Sequence, residues 1–358
     1  MVKVMIVEDS AVVRDLLLHI MSADPDFRVV GAARSGEEAL AILGNCKPDV
    51  ITMDIVMPGM SGLETTREIM RTNPVPIVIV SSAWRPSEVN STFLALETGA
   101  VAFLEKPRGP GDPGYERFAA SFRQTVKLMA DVKVIRRTGR EEDQSRPPFV
   151  INNAASAPPR IVCMGASTGG PPVIASILAG LAEHCPLPIV IVQHIAAGFI
   201  GGMADWLRGR TGFPVEVATD GEVIQAGRAY LAPDGLHLGV SAEGRIELVD
   251  DPLENGMRPS VSFLFRSISR AYKANAIGVL LTGMGKDGAV ELRGMREAGA
   301  LTFAQDAESS VIHGMPGEAI RLNGAVHVFN PEKIVQAINL IGSRARNIER
   351  KETPWPSK

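Results

Sequence analysis

Short apolar runs rich in valine and isoleucine alternate with longer amphipathic segments along almost the whole chain. In residues 1–125 the runs are VKVMIV, RVVGAA, DVITMD, PIVIVSS and AVAFLEKP. Strands that are apolar throughout are typical of parallel sheets covered by helices on both faces. Two of the intervening segments begin with the spacing of a capping box, because Ser35 and Ser61 each precede a glutamate by three residues. We therefore predict a doubly wound α/β fold of the flavodoxin-like type.

A second series of the same kind begins near residue 160. Its strand candidates are RIVCMG, PIVIVQH, RAYLAP, HLGV, RIELVD, AIGVLLTG, ALTFAQ and AVHVF. Its helical candidates are 171–183, 199–209, 260–273, 287–298 and 331–342. HLGV and RIELVD, joined through SAEG, predict an antiparallel hairpin, and the other segments predict a second doubly wound, Rossmann-like sheet.

Between the two series the composition changes. Residues 136–159 are first charged and then rich in proline, asparagine and alanine, which is typical of a linker. A length of 358 residues also suits two domains better than one. We predict domains at 1–125 and 160–345, with 126–159 as a helix end and linker and 346–358 as a tail.

The bulk composition excludes several classes of protein. The net charge of −3 and the lack of a basic recognition helix do not favour nucleic-acid binding. Cys46, Cys163 and Cys185 are far apart without metal-type pairing, which is typical of reduced thiols. We find no signal peptide and no apolar run of about 18 residues, so we expect a cytoplasmic protein without membrane insertion.

Polar side chains follow the strands of the first series. Glu8 and Asp9 end the first strand, Asp54 the third, Ser81 the fourth and Lys106 the fifth. In a parallel sheet these ends share one edge, where carboxylates suit a hard cation and one can act as nucleophile toward a phosphoryl group. A lysine and a hydroxyl would hold the phosphoryl oxygens. Taken singly, each aspartate could instead cap a helix.

The motifs VEDS, MDIVMPGMSGLE, IVS and EKP resemble the response-regulator receiver domain over residues 1–125. The resemblance implies that Asp54 is phosphorylated by a histidine kinase and that Glu8, Asp9 and Asp54 bind Mg²⁺. It also implies that Ser81 and Lys106 act as the phosphoryl switch.

Gly165-Ala166-Ser167-Thr168-Gly169 fits G-x-S-x-G, a serine held on a sharp turn from strand to helix. The phosphate-loop and dinucleotide patterns both fail, because no lysine follows and position 167 is serine. Pro171 and Pro172 suit the first turn of a helix, whose N-terminus would stabilise negative charge near Ser167. The loop could therefore hold a nucleophile or a phosphorylated ligand.

Two further residues follow strands of the second series. His194 ends PIVIVQH, and Asp287 follows AIGVLLTG, so both belong to the edge predicted for Ser167. That placement permits a serine, base and orienting acid to meet. His194 could also be a loop residue and Asp287 a helix cap, and His313 competes as the base. We expect Cys163 to pack inside its strand.

The motifs GASTGG, QH, RPSV, LTGMGKDGA and GMPGEAI resemble the catalytic domain of the chemotaxis protein-glutamate methylesterases over 160–345. The resemblance implies Ser167 as nucleophile, His194 as base and Asp287 as orienter, with Met284 and Thr168 at the oxyanion loop. It implies a phosphorylation-gated hydrolase that converts glutamate methyl esters on chemoreceptors to glutamate and methanol, with receptor glutamines as further substrates. No cofactor is expected in this domain. The alternative is a receiver-controlled binding module without catalysis.

Three places depart from that family. Ile195-Ala196-Ala197 stands where the family has Met-Pro-Pro, Ser262 where aspartate is common, and His313 where an aromatic residue is usual. We expect none of them to touch the triad, so the chemistry should be little affected and any effect should fall on receptor recognition.

Overall fold

The computed structural model describes residues 1–82, 86–132, 134, 158–181 and 185–352, without the side chains of 86, 87 and 344–352. Two compact units divide the chain, Met1–Gln144 and Ser145–Lys358. The division falls within the segment predicted as helix end and linker, of which 135–157 lies outside the described residues. Among the described helices none is long and apolar enough to cross a membrane.

The first unit is a five-stranded parallel sheet in the order β2-β1-β3-β4-β5, which is the flavodoxin-like order. Its elements are β1 (Val2–Val7), α1 (Ala11–Ser22), β2 (Phe27–Ala33), α2 (Gly36–Cys46), β3 (Val50–Asp54), α3 (Gly62–Thr72), β4 (Ile77–Ser81), α4 (Pro86–Thr98), β5 (Ala102–Glu105) and α5 (Tyr115–Ala130). β3 and β4 are buried at every position, as expected of strands covered on both faces. The predicted fold class is confirmed.

The two capping boxes predicted from the sequence differ in the structure. At α3 the box is complete, because Ser61 accepts from the Glu64 N–H and the Glu64 carboxylate accepts from the Ser61 N–H. At α2 Ser35 accepts from the Glu38 N–H, but the Glu38 carboxylate bonds the Arg34 N–H instead. The Glu38 carboxylate therefore bonds the N–H of the residue before the N-cap, and not the N-cap N–H of Ser35 that a capping box requires.

The second unit is a seven-stranded parallel sheet in the order β14-β13-β12-β6-β7-β9-β8, with a separate antiparallel pair β10-β11. Its elements are β6 (Ile161–Ala166), α6 (Gly170–Leu181), β7 (Ile189–Gln193), α7 (Ile200–Thr211), β8 (Val215–Val217), β9 (Ala229–Leu231), β10 (His237–Val240), β11 (Ile246–Val249), α8 (Val261–Tyr272), β12 (Ala276–Leu280), α9 (Ala289–Glu297), β13 (Leu301–Gln305), α10 (Met315–Arg321), β14 (His327–Phe329) and α11 (Pro331–Glu352). The predicted hairpin is confirmed as β10 and β11.

Three elements go beyond the sequence prediction. β8 has three residues and α10 has seven, so neither is long enough to show a period of its own. α11 continues past residue 345 to Glu352, into the segment predicted as a tail. Its last turns, RARNIERKE, contain strong helix formers and no glycine or proline, which explains the continuation.

A close approach between β6 and α8 positions the site. A Cβ on Gly165 would lie 2.2 Å from Val261 Cγ1, so glycine lets the first turn of α8 rest directly on the strand. The same strand carries Cys163, which is fully buried among apolar side chains. Burial raises the pKa of the Cys163 thiol, so the prediction that it packs as a core residue is confirmed.

Candidate active site

Ser167 and His194 lie side by side at the carboxyl ends of two neighbouring strands. Ala166 in β6 pairs with Gln193 in β7, and each chain then continues into its site residue. The His194 N–H donates to the Ala166 carbonyl at 2.9 Å, which extends the ladder by one step. On the other side, the Ser167 N–H donates to the carbonyl of Thr282, which follows β12, at 3.0 Å. Three strand ends therefore meet around Ser167.

The His194 ring is held by one of its two nitrogens. Nε2 lies 2.9 Å from Asp287 Oδ2, and both side chains are more than nine-tenths buried. Nδ1 is buried and has no hydrogen-bond partner among the described residues. With Nε2–H donating to the carboxylate, the neutral ring keeps its lone pair on Nδ1. This nitrogen can accept a proton from a neighbouring hydroxyl.

Asp287 accepts far more hydrogen bonds than a helix cap would. Besides His194, it accepts from Val261 N at 2.7 Å, Ser260 Oγ at 2.9 Å, Asn255 Nδ2 at 2.9 Å and Ser262 N at 3.1 Å. Burial alone would raise the pKa of Asp287, but the hydrogen bond and charge of His194, with the bonds from Ser262 and Val261, hold it well below its usual range. The carboxylate is therefore a fixed negative charge behind the imidazole.

The depressed pKa of Asp287 predicts a pH-dependent stability. Such a group stabilises the fold above the carboxyl's unfolded pKa, about 3.9, and this contribution is lost as the pH falls through the folded value. We expect Asp287→Asn to lower the unfolding free energy at pH 7 by about 3 kcal/mol. The loss relative to wild type should shrink as the pH falls below about 4.

Urea unfolding of the full chain between pH 7 and pH 2 measures this effect. Asp205→Asn is the matched control, because the Asp205 side chain is 76% exposed and should change the unfolding free energy by less than about 0.5 kcal/mol. An Asp287→Asn deficit that stays constant down to pH 2 would contradict the assignment.

Two polar side chains that the sequence analysis did not single out fix the loop carrying Ser167. The Gln193 amide nitrogen donates to the carbonyls of both Ser167 and His194 at 2.8 Å, which ties the two loops together. The Thr282 hydroxyl donates to the Thr168 carbonyl at 3.0 Å. Gly283 packs so closely that a Cβ there would lie 2.7 Å from Ser167 Cβ, and Met284 follows it. Thr168 follows Ser167 in the chain and Met284 follows Gly283, while their oxyanion role stays a prediction.

His313, the other candidate for the base, makes no hydrogen bond to Asp287 among the described residues. His313 forms a bridge with Gly283 through the backbone, and its Nδ1 lies 3.4 Å from Ser310 Oγ. Burial lowers the pKa of His313, although the charge of Asp306 opposes this. Among the described histidines, His194 is the one that bonds Asp287.

The expectation that none of the three departures touches the triad is wrong for Ser262. Its N–H donates to Asp287 Oδ1, because Ser262 lies in the first turn of α8, where amides lack helical partners. Its hydroxyl accepts from the Gly288 N–H at 2.9 Å and donates to Glu291 at 2.6 Å. The segment Ile195–Ala197 leads to Gly198, whose N–H donates to Asp234 at 2.7 Å.

The polar residues at the carboxyl edge of the first unit also meet. Oxygens of Glu8, Asp9 and Asp54 lie within 4.8 Å of one another. Lys106 Nζ lies 2.8 Å from Asp54 Oδ2 and 3.0 Å from Glu8 Oε1. Ser81 is buried at the end of β4, and its carbonyl accepts from the Lys106 N–H at 2.9 Å. The edge therefore has the composition expected from the sequence.

The electrostatics of this edge favour a divalent cation. Burial, reinforced by the charge of Asp54, raises the pKa of Glu8 to about 7. Burial also raises the pKa of Asp54, although the hydrogen bond from Lys106 opposes this. Glu8 Oε2 is buried without a hydrogen-bond partner in the described part of the chain. Three carboxylates with one ammonium and a spare buried oxygen fit a hard cation with oxygen ligands.

Taken together, the two units define a response regulator with a hydrolase domain. The response regulator receiver domain model matches residues 4–112, and the CheB methylesterase model matches residues 162–338. The chain belongs to the protein-glutamate methylesterase/protein-glutamine glutaminase family.

Similar proteins match along nearly the whole chain. Protein-glutamate methylesterase/protein-glutamine glutaminase 4 of Geobacter metallireducens is 53% identical over 341 residues, covering 94% of this chain and 98% of the relative. Protein-glutamate methylesterase/protein-glutamine glutaminase 1 of Syntrophus aciditrophicus is 52% identical over 356 residues, covering 96% of this chain and 100% of the relative. The crystal structure of the Thermotoga maritima CheB methylesterase catalytic domain, 35% identical, matches with a TM-score of 0.50 over 51% of this chain and 98% of that chain.

Proposed function

We propose that this chain is a phosphorylation-controlled serine hydrolase that demethylates glutamate methyl esters on chemoreceptors. The observation that carries the proposal is the buried His194–Asp287 pair beside Ser167, with His194 Nδ1 unpartnered among the described residues. The names and full-length similarity of its relatives support the substrate class. We propose that the protein acts in the cytoplasm.

The chemistry follows from the two nitrogens of His194. Nδ1 takes the Ser167 hydroxyl proton as Oγ attacks the side-chain carbonyl carbon of the methylated glutamate. Asp287 stabilises the imidazolium that results. We assign the developing oxyanion to the loops that contain Thr168 and Met284.

Collapse of the tetrahedral intermediate breaks the bond to the methoxy oxygen, which receives the proton from His194 and leaves as methanol. A water molecule then attacks the acyl carbon while His194 takes one of its protons. The bond from that carbon to Ser167 Oγ breaks, His194 returns the proton to Oγ, and glutamate is released. The same steps on a glutamine side chain release ammonia instead of methanol, so deamidation needs no further residue. We expect this reaction to need no cofactor.

Control is assigned to the first unit. We propose that Asp54 accepts a phosphoryl group from a histidine kinase and that Ser81 and Lys106 contact it. Glu8, Asp9 and Asp54 are the residues that would hold Mg²⁺, which would offset the charge that accumulates during phosphoryl transfer. The raised pKa values of Glu8 and Asp54 support this assignment, because uncompensated carboxylates are costly there.

Covalent labelling separates this proposal from a binding module without catalysis. A fluorophosphonate should form a bond from Ser167 Oγ to phosphorus and release fluoride, because His194 activates the hydroxyl. Mass spectrometry should find the adduct on the peptide containing Ser167 and none in Ser167→Ala. A folded wild type that stays unlabelled at Ser167 but binds phosphorylated ligands would favour the binding module.

A further inference from the structure

The hydrogen-bond donors to Asp287 come from two kinds of place. Ser260, Val261 and Ser262 are buried at the start of α8, and the His194 side chain is 8% exposed. Asn255 belongs to an exposed turn outside that helix. Its Nδ2 nevertheless lies 2.9 Å from Asp287 Oδ1. The buried Asp287 carboxylate therefore accepts one of its hydrogen bonds from Asn255, an exposed residue.

The turn that carries Asn255 has a specified backbone. The N–H of Glu254 donates to the Met257 carbonyl at 3.1 Å, and the N–H of Met257 donates back at 2.8 Å. Between them Asn255 and Gly256 have φ values of +52° and +78°. Two left-handed residues closing a reciprocal pair are typical of a type I′ turn, for which Asn-Gly is the favoured sequence. The backbone therefore does not depend on the contact that the Asn255 side chain makes.

Side-chain contacts also hold the turn against the site. Arg266 forms an ion pair with Glu254, at the first corner of the turn. Just after the turn, Arg258 Nη1 donates to the Asp251 carbonyl at 2.9 Å. The Asn255 amide is thus delivered to Asp287 by an anchored element.

We propose that Asn255 is a positioning residue for the triad, an inference that rests on the proposed hydrolase function. Oδ1 of Asp287 accepts from Asn255, Ser260 and Ser262, while Oδ2 accepts from His194 and from the Val261 N–H. Donors on Oδ1 oppose rotation of the carboxylate about its terminal bond and so keep Oδ2 on the imidazole. Asn255 Nδ2 also lies 3.2 Å from Ser262 Oγ, which fixes the direction of its amide.

Asn255→Gly tests the contact without disturbing the turn, because glycine adopts left-handed φ values freely. We expect kcat for methanol release and the rate of fluorophosphonate labelling to fall about tenfold, with KM unchanged. A purely structural role would lower the urea midpoint and leave kcat per folded molecule unchanged.

Asn255→Asp supplies a readout that a structural role would not move. An ionised carboxylate there repels Asp287, whereas a protonated one can donate a hydrogen bond to Oδ1 as the amide does. The ratio of its kcat to that of wild type at the same pH should therefore rise as the pH falls. For Asn255→Gly the same ratio should be independent of pH.

The matched controls are Asn323→Gly and Asn323→Asp. Asn323 also has a left-handed φ, +57°, but its side chain bonds Arg296 at 2.6 Å instead of a site residue. Both controls should keep the wild-type kcat at every pH. Asn255 variants with wild-type kcat and labelling rates would overturn the positioning role. Wild type without labelling at Ser167 would overturn the hydrolase function itself.

Discussion

Ser167→Ala is expected to lower kcat for methanol release by about 10⁴-fold or more. The substitution removes the oxygen that we propose forms the acyl-enzyme, while both partners of the His194–Asp287 hydrogen bond remain in place. The loss should appear in kcat rather than in KM, because the remaining loops still bind the receptor segment. Initial rates on methylated receptor cytoplasmic fragments measure both constants.

Non-additivity sharpens this prediction. If Ser167 and His194 act as a unit, the double variant Ser167→Ala/His194→Ala should be no slower than Ser167→Ala alone. Ser343→Ala is the matched control, since Ser343 is exposed on α11 and bonds the Leu340 carbonyl. A Ser167→Ala variant within tenfold of wild type would mean that another group is the nucleophile.

Asp54→Asn is expected to abolish activation by a small phosphodonor while leaving the basal rate unchanged. Moving a protein from mostly inactive to mostly active requires about 5.5 kcal/mol of differential stabilisation, which a buried, doubly charged phosphoryl group beside Lys106 can provide. We expect wild type to be activated about 10- to 100-fold on this arithmetic. The measurement is the rate of methanol release with and without the phosphodonor.

Asp15→Asn is the control for this experiment, because Asp15 is exposed on α1 and outside the acidic cluster. It should be activated like wild type. Omitting Mg²⁺ should prevent phosphorylation of wild type, seen directly by intact-mass spectrometry, without changing the basal rate. Full activation of Asp54→Asn would assign control to another residue.

Much of both sites could be predicted because the carboxyl ends of parallel strands lie at the same edge of a sheet. Asp54 and Ser81 end β3 and β4, and Lys106 follows the last residue of β5, so the sheet order brings them to one edge. Ser167 and His194 follow the paired residues of β6 and β7 for the same reason. A parallel sheet thus turns positions in sequence into proximity in space.

The contacts that the sequence did not predict depend on loops and side-chain directions. Gln193 and Thr282 stand beside predicted residues, yet nothing in their spacing says that their polar groups bond the Ser167 loop. Asn255 reaches Asp287 across 32 positions. The Asn-Gly pair signals a turn, but the partner of its side chain is set by tertiary packing.

The sequence likewise does not predict the orientation of the His194 ring. A histidine can present either nitrogen to a carboxylate, and here Nε2 bonds Asp287 while Nδ1 has no hydrogen-bond partner among the described residues. At Ser262 the sequence-based expectation was wrong. Ser262, whose departure was expected to bear on recognition, donates a hydrogen bond to Asp287, because the fold brings the start of α8 to that carboxylate.

Methanol release from methylated receptor cytoplasmic fragments tests the central claim most directly. The full-length wild type and Ser167→Ala are each assayed with and without a phosphodonor and Mg²⁺. We predict release by wild type that rises with the phosphodonor, and none above background by Ser167→Ala in either condition. No release by folded wild type, or equal release by Ser167→Ala, would contradict the account.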